Sequence, residues 1–254
     1  MQYLGGKAKI GTRIADAMAV PPSATYYEPF CGMLGVLRHV RCRRRVASDA
    51  RLAVITFWRA VQAGWLPPTT LDEDGYAALK AADDPLDPRT AWAAAGCSFG
   101  GRWWGGFARG HTDPSVAHRA AAEAVPHLRG VEFVHRDYAD LDPDPGSVVY
   151  CDPPYAGTTD YPDVGPFDHR AFWRTASRWS RASTVYVSEF TGPSASDGVA
   201  AEDIWATRRR IAVESSTGAN RKRDDRLYLL GGARPAQAGL FARRHIEEVH
   251  RGES

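Results

Sequence analysis

Five short apolar runs, each closed by polar residues, constrain this chain more than any other feature: Thr25 to Phe30, Arg45 to Asp49, Val131 to Asp137, Ser147 to Asp152 and Ser183 to Phe190. Short runs rich in β-branched and aromatic residues read as strands. Helical patterns stand between them. Leu52 to Ala63 follows the second run, and in Asp168 to Arg181 the residues Phe172, Trp173, Ala176 and Trp179 recur on one face, with Asp168 placed to cap the first turn. Strands alternating with helices predict an α/β fold, a mainly parallel twisted sheet with helices on both faces. Ligands of such sheets bind outside the carboxyl ends of the strands, so Glu28, Asp49, Asp137 and Asp152 are candidates for one crevice. For any one of these acids, capping of the following helix is the competing reading.

Composition narrows the class further. At 254 residues, 44% hydrophobic and 24% charged, the chain can bury a core without a disulfide or metal staple, and neither disorder nor a coiled coil is favoured. The net charge of +2 does not announce a nucleic-acid binder, although an even total can hide a basic face. Among the basic residues only Lys7, Lys9, Lys80 and Lys222 are lysine. Arginine chosen for phosphate or guanine contacts and a GC-rich genome are both open explanations. Cys31, Cys42, Cys97 and Cys151 form no CxxC pair, and the histidines show no HExxH or other ligand spacing, so no metal and reduced thiols are expected. Met1 to Gly11 lacks an apolar signal region and no run reaches membrane-span length, so the expected place is the cytoplasm, with no membrane partner.

Between residues 69 and 126 the strand pattern stops. Asp and Pro clusters separate short helical pieces before the segment Ser98 to Arg109, where paired glycines flank Phe99, Trp103, Trp104 and Phe107. Such pairs predict a hairpin or tight loop carrying large side chains. We read 69–126 as a mostly helical insertion and 1–68 with 127–254 as the main domain. After Thr207 come two more strand candidates, Arg208 to Glu214 and Arg226 to Leu230, with Arg221 to Asp225 as a charged loop between them.

Asp152-Pro153-Pro154-Tyr155 directly follows the apolar strand Val148 to Cys151. Two prolines stiffen the chain and lack N–H donors, so the turn offers the Asp152 carboxylate and the Pro153 carbonyl as fixed acceptors beside the ring of Tyr155. That set suits a planar heterocycle bearing an exocyclic amine, its two protons accepted while the ring stacks.

With this turn the chain resembles the AdoMet-dependent amino-methyltransferases, most closely the Dam-type DNA adenine methylases and their phage relatives. Four further elements follow the family's order: Tyr3-Leu4-Gly5-Gly6-Lys7, Glu28-Pro29-Phe30-Cys31-Gly32, Asp49 after Ala47-Ser48, and Asp137-Tyr138. Ser188-Glu189-Phe190 is similar to a later motif. The chain departs from the pattern at Gly32-Met33-Leu34-Gly35, where the second glycine usually stands nearer the first. The three-glycine dinucleotide fingerprint and the phosphate-loop spacing are both absent.

The resemblance implies a Rossmann-like class I methyltransferase domain that binds S-adenosyl-L-methionine through Tyr3, Gly6, Lys7, Glu28, Pro29, Phe30, Cys31, Gly32, Asp49, Asp137, Tyr138 and Asp152. It implies methyl transfer to adenine N6 in double-stranded DNA, with Asp152, Pro153, Pro154 and Tyr155 as the catalytic turn and the base flipped out to reach it. Trp104 or Phe107 would wedge into the vacated stack and Arg109 would read a base edge, with Arg102, Tyr161, Arg221 and Lys222 as further DNA contacts. Packing of these aromatics into the insertion's own small core is the competing reading. The basic clusters Arg41 to Arg45, Arg208 to Arg210 and Arg221 to Arg223 are phosphate contacts or solvated faces. Cytosine N4 methylation and an inactive DNA-binding relative are the alternatives, and RNA is a further substrate to test. A cognate restriction endonuclease is compatible with the family, as are phage and regulatory roles.

Overall fold

The computed structural model describes residues 6–110, 113–156, 167–194, 199–211 and 221–231. Seven strands form one sheet in the hydrogen-bonded order β3-β2-β1-β4-β5-β7-β6. The chain divides into two compact units: Met1–Gly11, Phe30–His39 and Arg45–Tyr138 make the first, and Thr12–Pro29, Val40–Arg44 and Ala139–Ser254 the second. The expected Rossmann-like, mainly parallel α/β class is the one observed.

In the first unit β2 (Arg44–Asp49) and β3 (Val131–His135) pair in parallel from Arg45↔Val131 to Asp49↔His135. Their carboxyl ends therefore coincide, and the Arg136 N–H donates to the Asp49 carbonyl at 3.1 Å. Helix α2 (Leu52–Gln62) buries Val54, Ile55, Phe57, Trp58 and Val61. The interval read as an insertion holds α3 (Glu73–Ala82), α4 (Pro88–Ala91), a buried π-helical turn Trp92–Gly96 and α5 (Pro114–Leu128). Aspartates start these three helices: Asp72, Asp87 and Asp113 accept from the N–H groups of Gly75, Arg89 and Ser115. The aromatic loop closes as a hairpin on one antiparallel bridge, Ser98↔Phe107, with Phe99 N–H to Gly106 carbonyl at 2.9 Å and Ala108 N–H to Cys97 carbonyl at 3.1 Å.

In the second unit β1 (Thr25–Glu28), β4 (Val148–Cys151) and β5 (Thr184–Glu189) run parallel, and α1 (Gly11–Met18) supplies buried Ile14 and Met18. The chain leaves β1 toward one side of the sheet and β4 toward the other, which makes their carboxyl ends the switch point where such sheets bind ligands. Helix α6 (His169–Trp179) buries Phe172, Trp173, Ala176 and Trp179, and Asp168 caps it by accepting from the Ala171 N–H at 2.8 Å, as the periodicity predicts.

Three expectations are corrected. Strands end sooner than their apolar runs: β1 stops before Pro29, which has no N–H for a ladder, and β4 stops at Cys151, ahead of Pro153 and Pro154. The last two strands are longer and shifted, with β6 at Glu202–Ile211 and β7 at Arg221–Leu230. The charged run from Arg221 to Asp225 is thus strand, not loop, with Arg208 opposite Asp224 and Thr207 opposite Asp225. Charged residues at successive positions conceal the two-residue period of a strand. Among the described residues no helix is long and apolar enough to cross a membrane.

Candidate active site

In the first unit the glycine turn after β1 is held from three directions. Cys31 N–H donates to the Ser48 carbonyl at 3.0 Å, Gly32 N–H to Asp49 Oδ2 at 3.0 Å, and Trp58 Nε1 to the Gly32 carbonyl at 2.8 Å. Gly32 sits at φ +41°, and Leu34 adopts φ +53° with its side chain fully buried. A left-handed leucine is strained by about 1–2 kcal/mol, which burial of the side chain offsets at about 1.5–3 kcal/mol. Gly35 then serves a different purpose. A Cβ there would lie 3.0 Å from both the Lys7 backbone nitrogen and its Cβ, and a Cβ on Gly11 would lie 1.8 Å from the Gly35 carbonyl oxygen. The second glycine admits the N-terminal segment and leaves the left-handed position to Leu34.

Asp49 ends β2, and its carboxylate accepts from the Gly32 and Arg51 N–H groups at 3.0 and 2.9 Å. Burial pushes its carboxyl up, against these two donors, which hold it down. One lone pair on each oxygen remains for a further donor. The Phe30 ring stacks on Tyr138 at 5.2 Å and 29°. Asp137 is exposed beside it and Gly6 is exposed, whereas Lys7 is buried and its carbonyl accepts from the Ile10 and Gly11 N–H groups. Tyr3 and Tyr161 lie outside the described residues.

In the second unit Glu28, at the end of β1, is buried and accepts from the Tyr26 hydroxyl at 2.6 Å; Pro29 is buried behind it. Asp152, Pro154 and Tyr155 remain half-exposed on buried Pro153. Tyr155 is fixed twice: its hydroxyl donates to Asp225 Oδ1 at 2.6 Å, and its ring meets Phe190 edge-on at 4.4 Å and 89°. Glu189 clamps the same corner, accepting from Ala156 N–H at 3.1 Å and Phe190 N–H at 2.7 Å. Beneath it the Tyr150 and Ser188 hydroxyls share a hydrogen bond of 2.8 Å. Burial first, then the negative charge of Asp152 and Asp225, pushes the Tyr155 phenol well up, so it stays a donor.

Glu28, Glu189 and Asp225 are each 2% exposed. Sequence reasoning missed Asp225 by placing it in a loop, and it gave Glu189 no role. The signal for Asp225 is its two-residue spacing from Leu227 and Leu229, which are also buried.

The insertion's aromatics meet one another. Tyr76 contacts Trp104 at 5.4 Å and 78° and Phe107 at 5.4 Å, and Trp104 Nε1 donates to Asp83 Oδ1 at 2.8 Å. Phe99 of the same hairpin is 56% exposed. Arg109 pairs with Glu73 on the surface at 2.5 Å, and the Arg51 guanidinium lies 4.2 Å over the Trp103 ring. Arg102 is half-exposed, and Arg221 and Lys222 stand on β7.

No family model matches the chain, and no curated protein matches it. Among solved structures it is similar to the 23S rRNA methyltransferase ErmE, with 12% identity over 89% of this chain and 69% of that one and a TM-score of 0.42. The rRNA methyltransferase AviRa from Streptomyces viridochromogenes is 17% identical over 89% and 86%, TM-score 0.38. Precorrin-6y C5,15-methyltransferase from Geobacter metallireducens is 9% identical over 87% of each chain, TM-score 0.38.

Proposed function

We propose that this chain is an AdoMet-dependent DNA methyltransferase that modifies the N6 amine of an adenine flipped out of the duplex. The observation carrying the reading is the half-exposed Asp152-Pro153-Pro154-Tyr155 corner at the end of β4, braced by Asp225 and Glu189. Its two acceptors and fixed ring fit an exocyclic amine on a planar base. Bound AdoMet supplies an electrophilic methyl group on a sulfonium. As the amine nitrogen takes up positive charge, Asp152 and the Pro153 carbonyl stabilise it from fixed positions, and Glu28, Glu189 and Asp225 add negative potential around it. No nucleophile from the protein is needed, which leaves Cys31 and Cys151 as buried packing.

The first unit's residues fit the cofactor. Asp49 keeps acceptor capacity for ribose hydroxyls, the Gly32 turn allows close backbone approach, and Phe30 with Tyr138 forms an aromatic wall beside Asp137, the acceptor for the cofactor's adenine amine. Since Trp104 and Phe107 pack on Tyr76, exposed Phe99 is the hairpin aromatic available to wedge into the base stack, and Arg109 is the base-reading candidate.

The test incubates the full chain with labelled AdoMet and either duplex DNA or RNA, then maps the modified base. The expected label is on adenine N6 in DNA. Label on cytosine N4 or only on RNA replaces the substrate, and loss of AdoMet binding by calorimetry points to an inactive relative. Asp152→Ala is expected to abolish transfer while AdoMet binding survives; near-normal turnover in that variant refutes the role given to the carboxylate.

A further inference from the structure

Helix α6 buries one face, and the opposite face carries a run of exposed arginines. Arg170, Arg174 and Arg178 follow at four-residue steps, with Arg181 just past the helix end, and all four are exposed. At 3.6 residues per turn they fall within an arc of about 80°, directly across from Phe172, Ala176 and Trp179. Among the described residues none of the four guanidiniums has an ion-pair or hydrogen-bond partner. No acid occurs between His169 and Trp179, whereas exposed α3 carries Glu73, Asp74 and Lys80 together. Like charges four residues apart repel and weaken a helix, so an anionic partner lying along the stripe relieves that repulsion.

We propose that the arginine stripe of α6 docks the sugar-phosphate backbone of the substrate duplex, an inference that rests on the DNA reading above. The stripe is about 16 Å long at 1.5 Å per residue, matching about five base-pair steps at 3.4 Å along one strand. Guanidinium groups suit phosphate oxygens through paired N–H donors. An anionic membrane is a poorer fit, because an interfacial helix inserts its apolar face, and here Phe172, Trp173 and Trp179 are buried in the fold. Placement agrees as well. Because α6 connects parallel β4 to β5, its Arg170 end lies at the carboxyl end of β4, where Asp152 stands. A duplex on the stripe thus runs from the catalytic corner toward the other end of the unit.

The experiment measures binding of the full chain to a 20-base-pair duplex at about 50–300 mM salt, a range over which phosphate contacts set the slope. Replacing Arg170, Arg174 and Arg178 together with Gln is expected to lower the slope of log affinity against log salt by about 2.7, at about 0.9 per phosphate. Affinity at about 0.1 M salt should fall on the order of a hundred-fold, with AdoMet affinity unchanged and the melting temperature not lowered, since the like-charge repulsion along the helix is relieved. The matching triple Lys variant keeps the slope. If the triple Gln variant does not fold, the three single variants serve, each lowering the slope by about 0.9. A wild-type slope in the Gln variants overturns the docking surface and leaves the DNA reading standing. A wild-type chain that binds AdoMet and methylates RNA but does not bind duplex DNA overturns both.

Discussion

Tyr155→Phe removes one oxygen and nothing else from the Asp152–Tyr155 corner, so it isolates what Asp225 contributes. The phenol donates to Asp225 Oδ1 at 2.6 Å, and Asp225 is 2% exposed, so water cannot replace the lost donor. A hydrogen bond to a buried charged group is worth about 1.5–3 kcal/mol. In a chain of this size each kcal/mol moves the melting temperature by about 2–4 °C, which gives an expected fall of about 3–12 °C. The urea midpoint should drop with the m-value unchanged. Asp225→Asn keeps an oxygen that accepts from Tyr155 and should cost about half as much, since a neutral acceptor is the weaker partner. The same changes free the ring to turn against Phe190, so turnover falls while AdoMet affinity holds. A double-mutant cycle over Tyr155→Phe and Asp225→Asn is the assay. If the two costs simply add, within about 0.3–0.5 kcal/mol, and Tyr155→Phe turns over normally, the positioning argument is wrong.

Alkali should unfold the chain early. Burial pushes the Tyr186 phenol and the Cys97 thiol up to about 12, and Tyr26, Tyr150 and Cys151 are pushed up as well. The unfolded chain releases these protons first, thiols from about pH 8.5 and phenols from about pH 10, so the folded state then binds more protons and stability falls as pH rises. Urea midpoints that stay flat from about pH 8 to 11 refute this. Gly35→Ala places a Cβ 3.0 Å from Lys7 and should weaken AdoMet binding measured by calorimetry by about ten-fold; unchanged affinity would show that the Lys7 segment plays no part. Arg109→Gln should leave the melting temperature nearly unchanged, because its pair with Glu73 is exposed, yet relax sequence choice when modified sites are mapped. An unaltered recognition profile removes the base-reading role.

Much of this is legible in the sequence. The central parallel strands β1, β4 and β5 announce themselves because they are buried on both faces and read as continuous apolar runs, as in Val148 to Cys151. Capping residues such as Asp168 were legible for a related reason, since a cap is a local event between neighbours in sequence. The bracing of Tyr155 was not, because its partner lies 70 residues away on a strand whose first half is charged. Nor was the exchange at the glycine turn, where Leu34 takes the left-handed conformation and Gly35 makes room for Lys7. Only the close approach of a distant segment explains that exchange.

Strand β7 lies between β5 and β6 although it is the last of the three to be synthesised. While it is still on the ribosome, a nascent chain can expose Asp152 to Tyr155 and even form β1, β4 and β5, yet it lacks the carboxylate that anchors the tyrosine. Assembly of the acceptor corner therefore waits on the late insertion of β7, and an emerging polypeptide holds the sequence of the site well before it holds the site.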